Sequence, residues 1–141
     1  MKISTKTRYG TRLLLDLALH GDEGAVPLSA VAKRQEISEK YLWQLASALK
    51  SAGMVATTVG SGGGYRLAVP PGKITLLDVF SAFDGPVKLV HCVRDGESCL
   101  RSTDCITREA WRGLNRALEA EMKKTTIADL LKKARSRSSK K

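Results

Sequence analysis

The sequence predicts a mainly α-helical chain of 141 residues with one small β-hairpin and a long helix near the C-terminus. Two short amphipathic helices are expected on either side of a three-residue break at residues 36–38. A glycine-rich stretch at residues 60–64 then separates two short β-like runs. Helix, turn, helix and glycine-tipped hairpin follow one another in this order in a winged helix-turn-helix.

Three helical patterns fill the first 52 residues. They are expected at residues 5–20, 28–35 and 39–52, with Ser38 as the N-cap of the third and Gly53 at its C-terminal end. Apolar side chains recur at the spacing of one helix face, which should turn inward. They are Leu13, Leu14, Leu17 and Ala18 in the first pattern, Leu28, Val31 and Ala32 in the second, and Leu42, Leu45, Ala46 and Leu49 in the third.

The glycines form the tip of a predicted hairpin whose strands span residues 54–59 and 65–69. Glycine supplies the positive φ angles that a tight hairpin needs and allows other backbone to approach closely. A phosphate-binding nucleotide loop would be followed by a helix, whereas a strand follows this loop. The pattern therefore favours a wing, with an ordinary tight hairpin as the alternative.

Two further helices are predicted in the second half of the chain. Thr75 and Asp78 have the spacing of a capping box and begin a helix that ends at Asp84. A longer helix runs from residue 104 or 105 to Lys124 and carries an apolar stripe. The stripe either packs on its own chain or crosses a second copy. The stripe consists of Trp111, Leu114, Leu118 and Met122, and in the second arrangement it would form a homodimer.

The charge is strongly positive and unevenly distributed. The chain has 24 basic and 14 acidic residues, a formal net charge of +10. Residues 132–141 carry six of the basic residues and no acidic ones, which leaves 18 against 14, or +4, on residues 1–131. The basic excess favours a polyanion such as double-stranded DNA, although a solubilising tail gives the same total. We expect this tail to be disordered because it has little to bury.

Nothing in the sequence predicts a membrane or secretory location. No apolar run approaches the roughly 20 residues that span a membrane, and the N-terminus lacks the apolar stretch of a signal peptide. We therefore expect a cytoplasmic protein without membrane association, in a compartment where disulfides are rare. The odd number of cysteines, three, agrees with that expectation.

All three cysteines, Cys92, Cys99 and Cys105, fall within 14 residues of a polar, turn-rich segment. Thiolates gathered in this way suit an iron–sulfur cluster, zinc or copper(I). Zinc sites commonly contain close C-x2–4-C pairs, which this segment lacks. A thiol redox switch beside Arg94 and Arg101 is another alternative, and inert cysteines would normally be scattered through the core. The pattern favours a cluster.

Four pieces of the sequence together resemble the winged-helix iron–sulfur regulators typified by IscR and the nitric-oxide sensor NsrR. They are KTRYG at residues 6–10, ISEKYLWQL at residues 37–45, GSGGGY at residues 60–65, and the three cysteines followed by Trp111. The resemblance extends from Met1 to about Leu131. It implies a homodimer that binds DNA through its first 70 residues and holds a 2Fe–2S or 4Fe–4S cluster with the three cysteines.

The predicted reading helix, the wing and the start of the first helix supply the candidate DNA contacts. In helix-turn-helix proteins the N-terminal residues of the second helix reach base edges in the major groove. There Gln44 suits adenine, and Lys40 suits guanine or phosphate. The alternative is that these side chains are ordinary solvent faces. The candidates are Lys2, Thr5, Arg8, Tyr9, Ser38, Glu39, Lys40, Tyr41, Trp43, Gln44, Ser61, Gly62 and Gly63.

The chain departs from the resembled family at positions of both the DNA-binding site and the cluster-binding site. The arginine before the wing glycines of IscR-like members is Val59 here, and the histidine three residues after the last cysteine is Arg108. The carboxylate near position 8 that ligates from the partner chain in some NsrR-like members is Arg8. Arginine stays protonated and cannot normally ligate iron. The candidates for a fourth ligand are His91, Asp104, Glu109, another carboxylate or a small exogenous ligand.

The sequence thus predicts a homodimeric DNA-binding transcriptional regulator, a repressor, whose operator affinity is set by an iron–sulfur cluster that senses iron, redox state or nitric oxide. The alternative is a regulator of the same fold without a cluster, acting through thiol oxidation, zinc or a protein partner. No enzyme is expected, because no nucleophile, general base and pocket motif occur together. The expected parts are a winged helix-turn-helix at 1–72, a cluster-binding loop with dimerisation helices at 73–131, and the tail at 132–141.

Overall fold

The structure, a computed structural model, describes residues 1–94 and 99–141. This part of the chain is mostly helical and contains one two-stranded antiparallel sheet. The elements are α1 Thr5–His20, α2 Leu28–Gln35, α3 Glu39–Ser51, β1 Val55–Thr58, β2 Gly64–Leu67, α4 Leu76–Asp84, α5 Ile106–Lys124 and α6 Ile127–Ser138. The predicted helix-turn-helix with a hairpin wing is confirmed. The predicted exposed loop between Cys92 and Cys99 falls partly on residues 95–98, outside the described residues.

The three N-terminal helices pack around the side chains predicted to face inward. Leu13, Leu17, Leu42 and Leu49 are essentially inaccessible to solvent. The hydroxyl of Ser38 caps α3 by accepting a hydrogen bond from the backbone N–H of Tyr41 at 3.2 Å. The local sequence therefore defines both the core and the start of the second helix of the motif.

A buried carboxylate joins α1 to α2. Asp16 is 1% exposed, and Arg34 donates two hydrogen bonds to it, from Nε at 3.1 Å and from Nη2 at 2.6 Å. The side-chain amide of Gln35 donates a third at 2.9 Å. Because Gln35 is the last residue of α2, this cluster fixes the helix directly before the turn. Glu36 then takes a left-handed conformation with φ 54° and reverses the chain towards α3.

The wing is attached to the body of the domain through its second strand. Val55 pairs with Leu67 and Thr58 with Gly64 in the antiparallel register. Tyr65 also exchanges two backbone hydrogen bonds of 2.8 Å with Val26, which precedes α2. A Cβ atom on Gly64 would collide with the carbonyl group of Val26, so the close approach of these backbones requires glycine at this position.

The starts of α4 and α6 lie side by side. The N–H of Leu76 donates to the carbonyl oxygen of Thr125, and the N–H of Ile127 donates to that of Ile74, both at 2.9 Å. Both helices begin with a complete capping box, formed by Thr75 with Asp78, as predicted, and by Thr126 with Asp129.

The tail expected to be disordered from residue 132 is instead helical to Ser138, the end of α6. Ile127 is fully buried and anchors the start of the helix. Lys, Arg and Ala extend helices readily, and Arg135 and Arg137 lie in the last turn, where cations interact favourably with the helix dipole. A composition poor in apolar residues was therefore insufficient grounds to predict disorder.

The predicted dimerisation stripe of α5 is divided between two environments. Met122 is buried and Leu118 is half-buried, because both pack in a small core with Phe80 and Val87 of the same chain. Trp111 and Leu114 are 42% and 54% exposed. One end of the stripe therefore belongs to the core of the single chain, and only the other end is free to contact a partner. No helix in the described ranges is long and apolar enough to cross a membrane.

Candidate nucleic-acid interface and cysteine segment

The outward face of α3 is a ridge of exposed side chains. Lys40, Trp43, Gln44, Ser47 and Lys50 recur at the three- and four-residue spacing of one helix side, and all five are exposed. The predicted contact residue Glu39 is exposed in the first turn of the same helix. Two lysines at the ends and one indole near the middle give this face both positive charge and apolar area. We call these five residues the α3 ridge.

Two predicted DNA contacts are engaged with each other. The rings of Tyr9 and Tyr41 meet edge to face, with centroids 6.0 Å apart and planes at 81°. The guanidinium of Arg12 lies 5.1 Å from the centroid of Tyr9. Both tyrosines are half-buried. Their edge-to-face contact joins α1 to α3.

The first turn of α1 lies beside α3 and carries exposed cations. Lys2, Thr5 and Arg8 are exposed, and Arg8 Nη2 donates to the hydroxyl of Thr5 at 3.1 Å. The N-terminus of this helix is held by Asp84, the last residue of α4. One oxygen of Asp84 accepts hydrogen bonds from the backbone N–H of Ser4 at 3.1 Å and from the hydroxyl of Thr7 at 2.6 Å.

The joint between α1 and α4 is tightly packed. Gly10 faces the ring of Phe83 so closely that an added Cβ atom would overlap it. Partial burial on its own would raise the pKa of Asp84, but the hydrogen bonds from Thr7 and Ser4 and the charge of Lys6 together hold it below its ordinary value. The charged carboxylate is thus the form that the joint favours.

We expect the Asp84→Asn variant to be less stable than the wild type by about 1 kcal/mol at pH 6, because hydrogen bonds to a charged acceptor are stronger. A lowered folded-state pKa means that the stabilisation is complete above about pH 5 and is lost as the pH falls further. Urea unfolding at pH 6 and pH 3 should therefore show the difference between the two proteins shrinking at low pH. A difference that stays constant would contradict this role for the charge.

The wing tip offers fewer free donors than its sequence predicted. Ser61 and Gly62 are exposed, whereas the N–H of Gly63 already donates to the carbonyl oxygen of Gly60 at 2.9 Å. Val59, which stands where the resembled family has arginine, is 95% exposed. The wing can therefore present a short stretch of backbone and one apolar side chain to a ligand.

The three thiols are free and lie outside the core. Cys99 is exposed, while Cys92 and Cys105 are half-buried. Cys105 is the N-cap of α5, and its sulfur lies 3.2 Å from the hydroxyl of Thr107. This hydrogen bond, followed by one from the backbone of Arg108, lowers the pKa of the Cys105 thiol. Over residues 1–94 and 99–141, no group of three or more His, Cys, Asp or Glu side chains converges as metal ligands would.

Arg108 of α5 binds the backbone on both sides of Cys99. Arg108 donates from Nε to the carbonyl oxygen of Cys92 at 2.6 Å and from Nη1 to that of Ser102 at 2.7 Å. Arg108, which stands where the resembled family has histidine, thus connects residues 92 and 102 of the cysteine segment. Sequence reasoning missed this function, because nothing local to residue 108 indicates contact with residue 92.

A second set of contacts lies about two turns further along α5. Asn115 is buried; its oxygen accepts from the N–H of Leu89 at 2.9 Å and its amide nitrogen donates to the carbonyl oxygen of Val87 at 3.3 Å. Arg94 contacts the same Val87 oxygen at 3.3 Å and forms a 2.6 Å ion pair with Glu119. The sequence signal for this attachment is a polar residue, Asn115, that lies four positions after Trp111 within the apolar stripe.

The candidate fourth ligands differ in position. Asp104 and Glu109 line a hollow of about 240 Å³ together with Cys105 and Arg108. His91 does not line it and is exposed in the short 3-10 turn at His91–Val93. The two carboxylates therefore share a hollow with Cys105, whereas His91 lies outside that hollow and directly precedes Cys92.

A helix-turn-helix with an exposed basic ridge and an attached hairpin defines a winged-helix DNA-binding protein. Comparison with known proteins agrees: residues 3–133 match the sequence model of the Rrf2 family, described as an iron-dependent transcriptional regulator. The chain belongs to the Rrf2 family of transcriptional regulators. Its relatives are regulators rather than enzymes, as the sequence predicted.

Individual relatives are similar over nearly the whole chain. Protein rrf2 of Nitratidesulfovibrio vulgaris is 40% identical over 134 residues, which cover 95% of this chain and 89% of the relative. The regulator IscR of Aliivibrio salmonicida is 40% identical over 131 residues, covering 93% and 77%. The solved structure of CymR, the global cysteine regulator of B. subtilis, superposes with a TM-score of 0.80 at 35% identity and covers 94% of this chain and 97% of its own.

Proposed function

We propose that this regulator is a homodimer that binds a two-part DNA operator and that an iron–sulfur cluster held by Cys92, Cys99 and Cys105 sets its affinity. The observation that carries the DNA-reading part is the α3 ridge, which projects charged and polar side chains from the second helix of a helix-turn-helix. Lys2, just before α1, and Arg8 in its first turn are suited to neutralise phosphates beside the ridge.

The dimer is supported by the exposed end of the α5 stripe. Trp111 and Leu114 present large apolar side chains that the described part of their own chain leaves partly uncovered. Pairing of this surface with its copy would remove it from water and would place two reading helices on one duplex. Helix-turn-helix dimers bind half-sites about one helical turn apart.

The donor set is chemically suited to an iron–sulfur cluster, because thiolates are the usual ligands of such clusters and all three thiols are free. The described residues are not gathered into a finished site, so the segment would have to close as the cluster binds. Asp104 and Glu109 are the proposed sources of a fourth ligand beside Cys105. When bound, the cluster would supply reversible redox chemistry and reactivity towards oxygen or nitric oxide.

The chain offers a continuous route from this segment to the DNA-binding face. Arg108 holds Cys92, and Asn115 holds the stretch from Val87 to Leu89 on α5. That stretch follows Asp84 and Gly85 in the sequence, and Asp84 accepts hydrogen bonds from the N-terminus of α1. Closing the cysteine segment would change these contacts. The cluster-bound and cluster-free states would then differ in energy, and this difference would change the affinity for DNA.

The test is anaerobic purification after co-expression with cluster-assembly machinery, followed by absorption and Mössbauer spectra, iron analysis and operator binding. We expect iron and a cluster spectrum in the wild type, their loss in Cys99→Ser, and their retention in the control Thr103→Ala, which alters an exposed residue of the same segment. Operator affinity should differ between the loaded and cluster-free wild type.

A regulator that responds to thiol oxidation is the second candidate. The exposure of Cys99 and the partial exposure of Cys92 and Cys105 favour it, because accessible thiols react most readily with oxidants. The test is the operator affinity of wild-type protein that contains no iron after the same purification. A reversible change of this affinity with peroxide and dithiothreitol would establish thiol sensing and refute the cluster.

A further inference from the structure

One side chain of the α3 ridge is unlike its neighbours. Trp43 is 59% exposed, although its helix buries Leu42, Leu45, Ala46 and Leu49 on the opposite side. An indole is among the largest apolar surfaces that a protein can bury. The described part of the chain leaves most of this one uncovered.

The surroundings of Trp43 indicate the charge of its partner. Lys40 precedes it by about one turn, Lys50 ends the ridge, and Gln44 and Ser47 lie between them. The five residues of the ridge carry a formal charge of +2, and the exposed Glu36 and Glu39 lie before it in the turn and in the first turn of α3. An apolar group framed by lysines is suited to a partner that is anionic at its edges and presents an apolar feature between them.

The major groove of DNA has that combination. Phosphates form its two walls, and the C5 methyl group of thymine is the apolar group displayed on its floor. Resting on the DNA-binding function proposed above, we propose that Trp43 is a specificity-determining residue that contacts thymine methyl groups in each operator half-site. Gln44, the next residue on the ridge, is suited to pair with adenine, so the two side chains together select an A·T-containing step.

The thymine methyl can be removed without altering base pairing, which gives a direct test. The operator is first selected from random duplexes with the wild-type protein, and each thymine is then replaced in turn by deoxyuridine, symmetrically in both half-sites. We expect one or two positions per half-site at which each lost methyl weakens binding about fourfold, the affinity equivalent of exposing one buried methyl group. Symmetrical replacement should therefore weaken binding by roughly fifteenfold.

The variants assign that effect to Trp43. Trp43→Ala should bind the thymine and deoxyuridine operators with about the same affinity at those positions. Trp43→Phe keeps an aromatic ring and should largely restore the preference for thymine. The matched control is the neighbouring Gln44→Ala, which should alter the preference for adenine but keep the dependence on the methyl group. Circular dichroism and thermal unfolding confirm that each variant is folded.

The outcomes separate this inference from the function on which it rests. Failure of the wild type to select any operator would refute the proposed function. Selection of an operator without a methyl penalty, or the same penalty in Trp43→Ala, would refute the inference and leave DNA binding intact. In that event the indole would be free for a protein partner.

Discussion

Replacing Leu114 with glutamate is expected to convert the protein to a monomer and to weaken operator binding at least about 100-fold. The side chain is 54% exposed in the single chain, so the substitution leaves the monomer core intact. In the proposed dimer it would bury a charge in an apolar contact, which is costly. Each half-site would then bind independently, and linking two binding sites commonly increases affinity by 10²- to 10⁴-fold.

The measurements are sedimentation velocity and binding to operators with one or two half-sites. The monomeric variant should bind the two duplexes almost equally, whereas the wild type should strongly prefer the duplex with two half-sites. Ala120→Glu is the matched control, because Ala120 is exposed and lies on the opposite side of α5, about 180° from Trp111 at 100° per residue. A dimeric Leu114→Glu protein would show that the partner contact lies elsewhere.

Arg34→Met is expected to lower the free energy of unfolding by about 2 kcal/mol, because it leaves the buried Asp16 carboxylate without its cation, while the Arg34 side chain itself is 34% exposed. Methionine retains much of the apolar stem, so the loss reports mainly on the guanidinium. Asp16 is 1% exposed and would keep only the hydrogen bond from Gln35. That loss is a large part of the 5–15 kcal/mol that stabilises a typical domain.

Urea unfolding measures the loss, and Arg135→Met provides the matched control. Arg135 forms a 3.3 Å ion pair with Asp22, in which the side chains are 55% and 81% exposed. Exposed pairs contribute at most about 1 kcal/mol, so this variant should differ little from the wild type. The double variant Asp16→Leu with Arg34→Met should recover most of the stability. Equal losses in the two arginine variants would contradict the importance of burial.

Features that depend on a few neighbouring residues were predictable from sequence. Ser38 was expected to cap α3, and Thr75 with Asp78 to cap α4; both caps are present. The inward leucines were also identified correctly. Helix caps and helix faces are determined within about four residues, so a single sequence contains nearly all the information they need.

Features that depend on distant partners were not predictable. The contact of Arg108 with Cys92 joins residues 16 apart, and that of Asp84 with Thr7 joins residues 77 apart. Neither pair has a local signature. The helical course of α6 to Ser138 was missed for a related reason, because Ile127 anchors the helix and its burial depends on the elements packed around it, not on the composition of the tail.

The sequence by itself determined the order of the helices and the hairpin, the inward faces of the first three helices, and the confinement of the thiols to one segment. Only the tertiary structure decided which apolar side chains stay uncovered: Trp43, Trp111 and Leu114 remain accessible, while Met122 on the same stripe is buried. The physical reason is that a periodic pattern specifies a face, whereas burial depends on which element packs against that face. In α5 that element is α4, through Phe80, and it reaches only the end of the stripe that contains Leu118 and Met122.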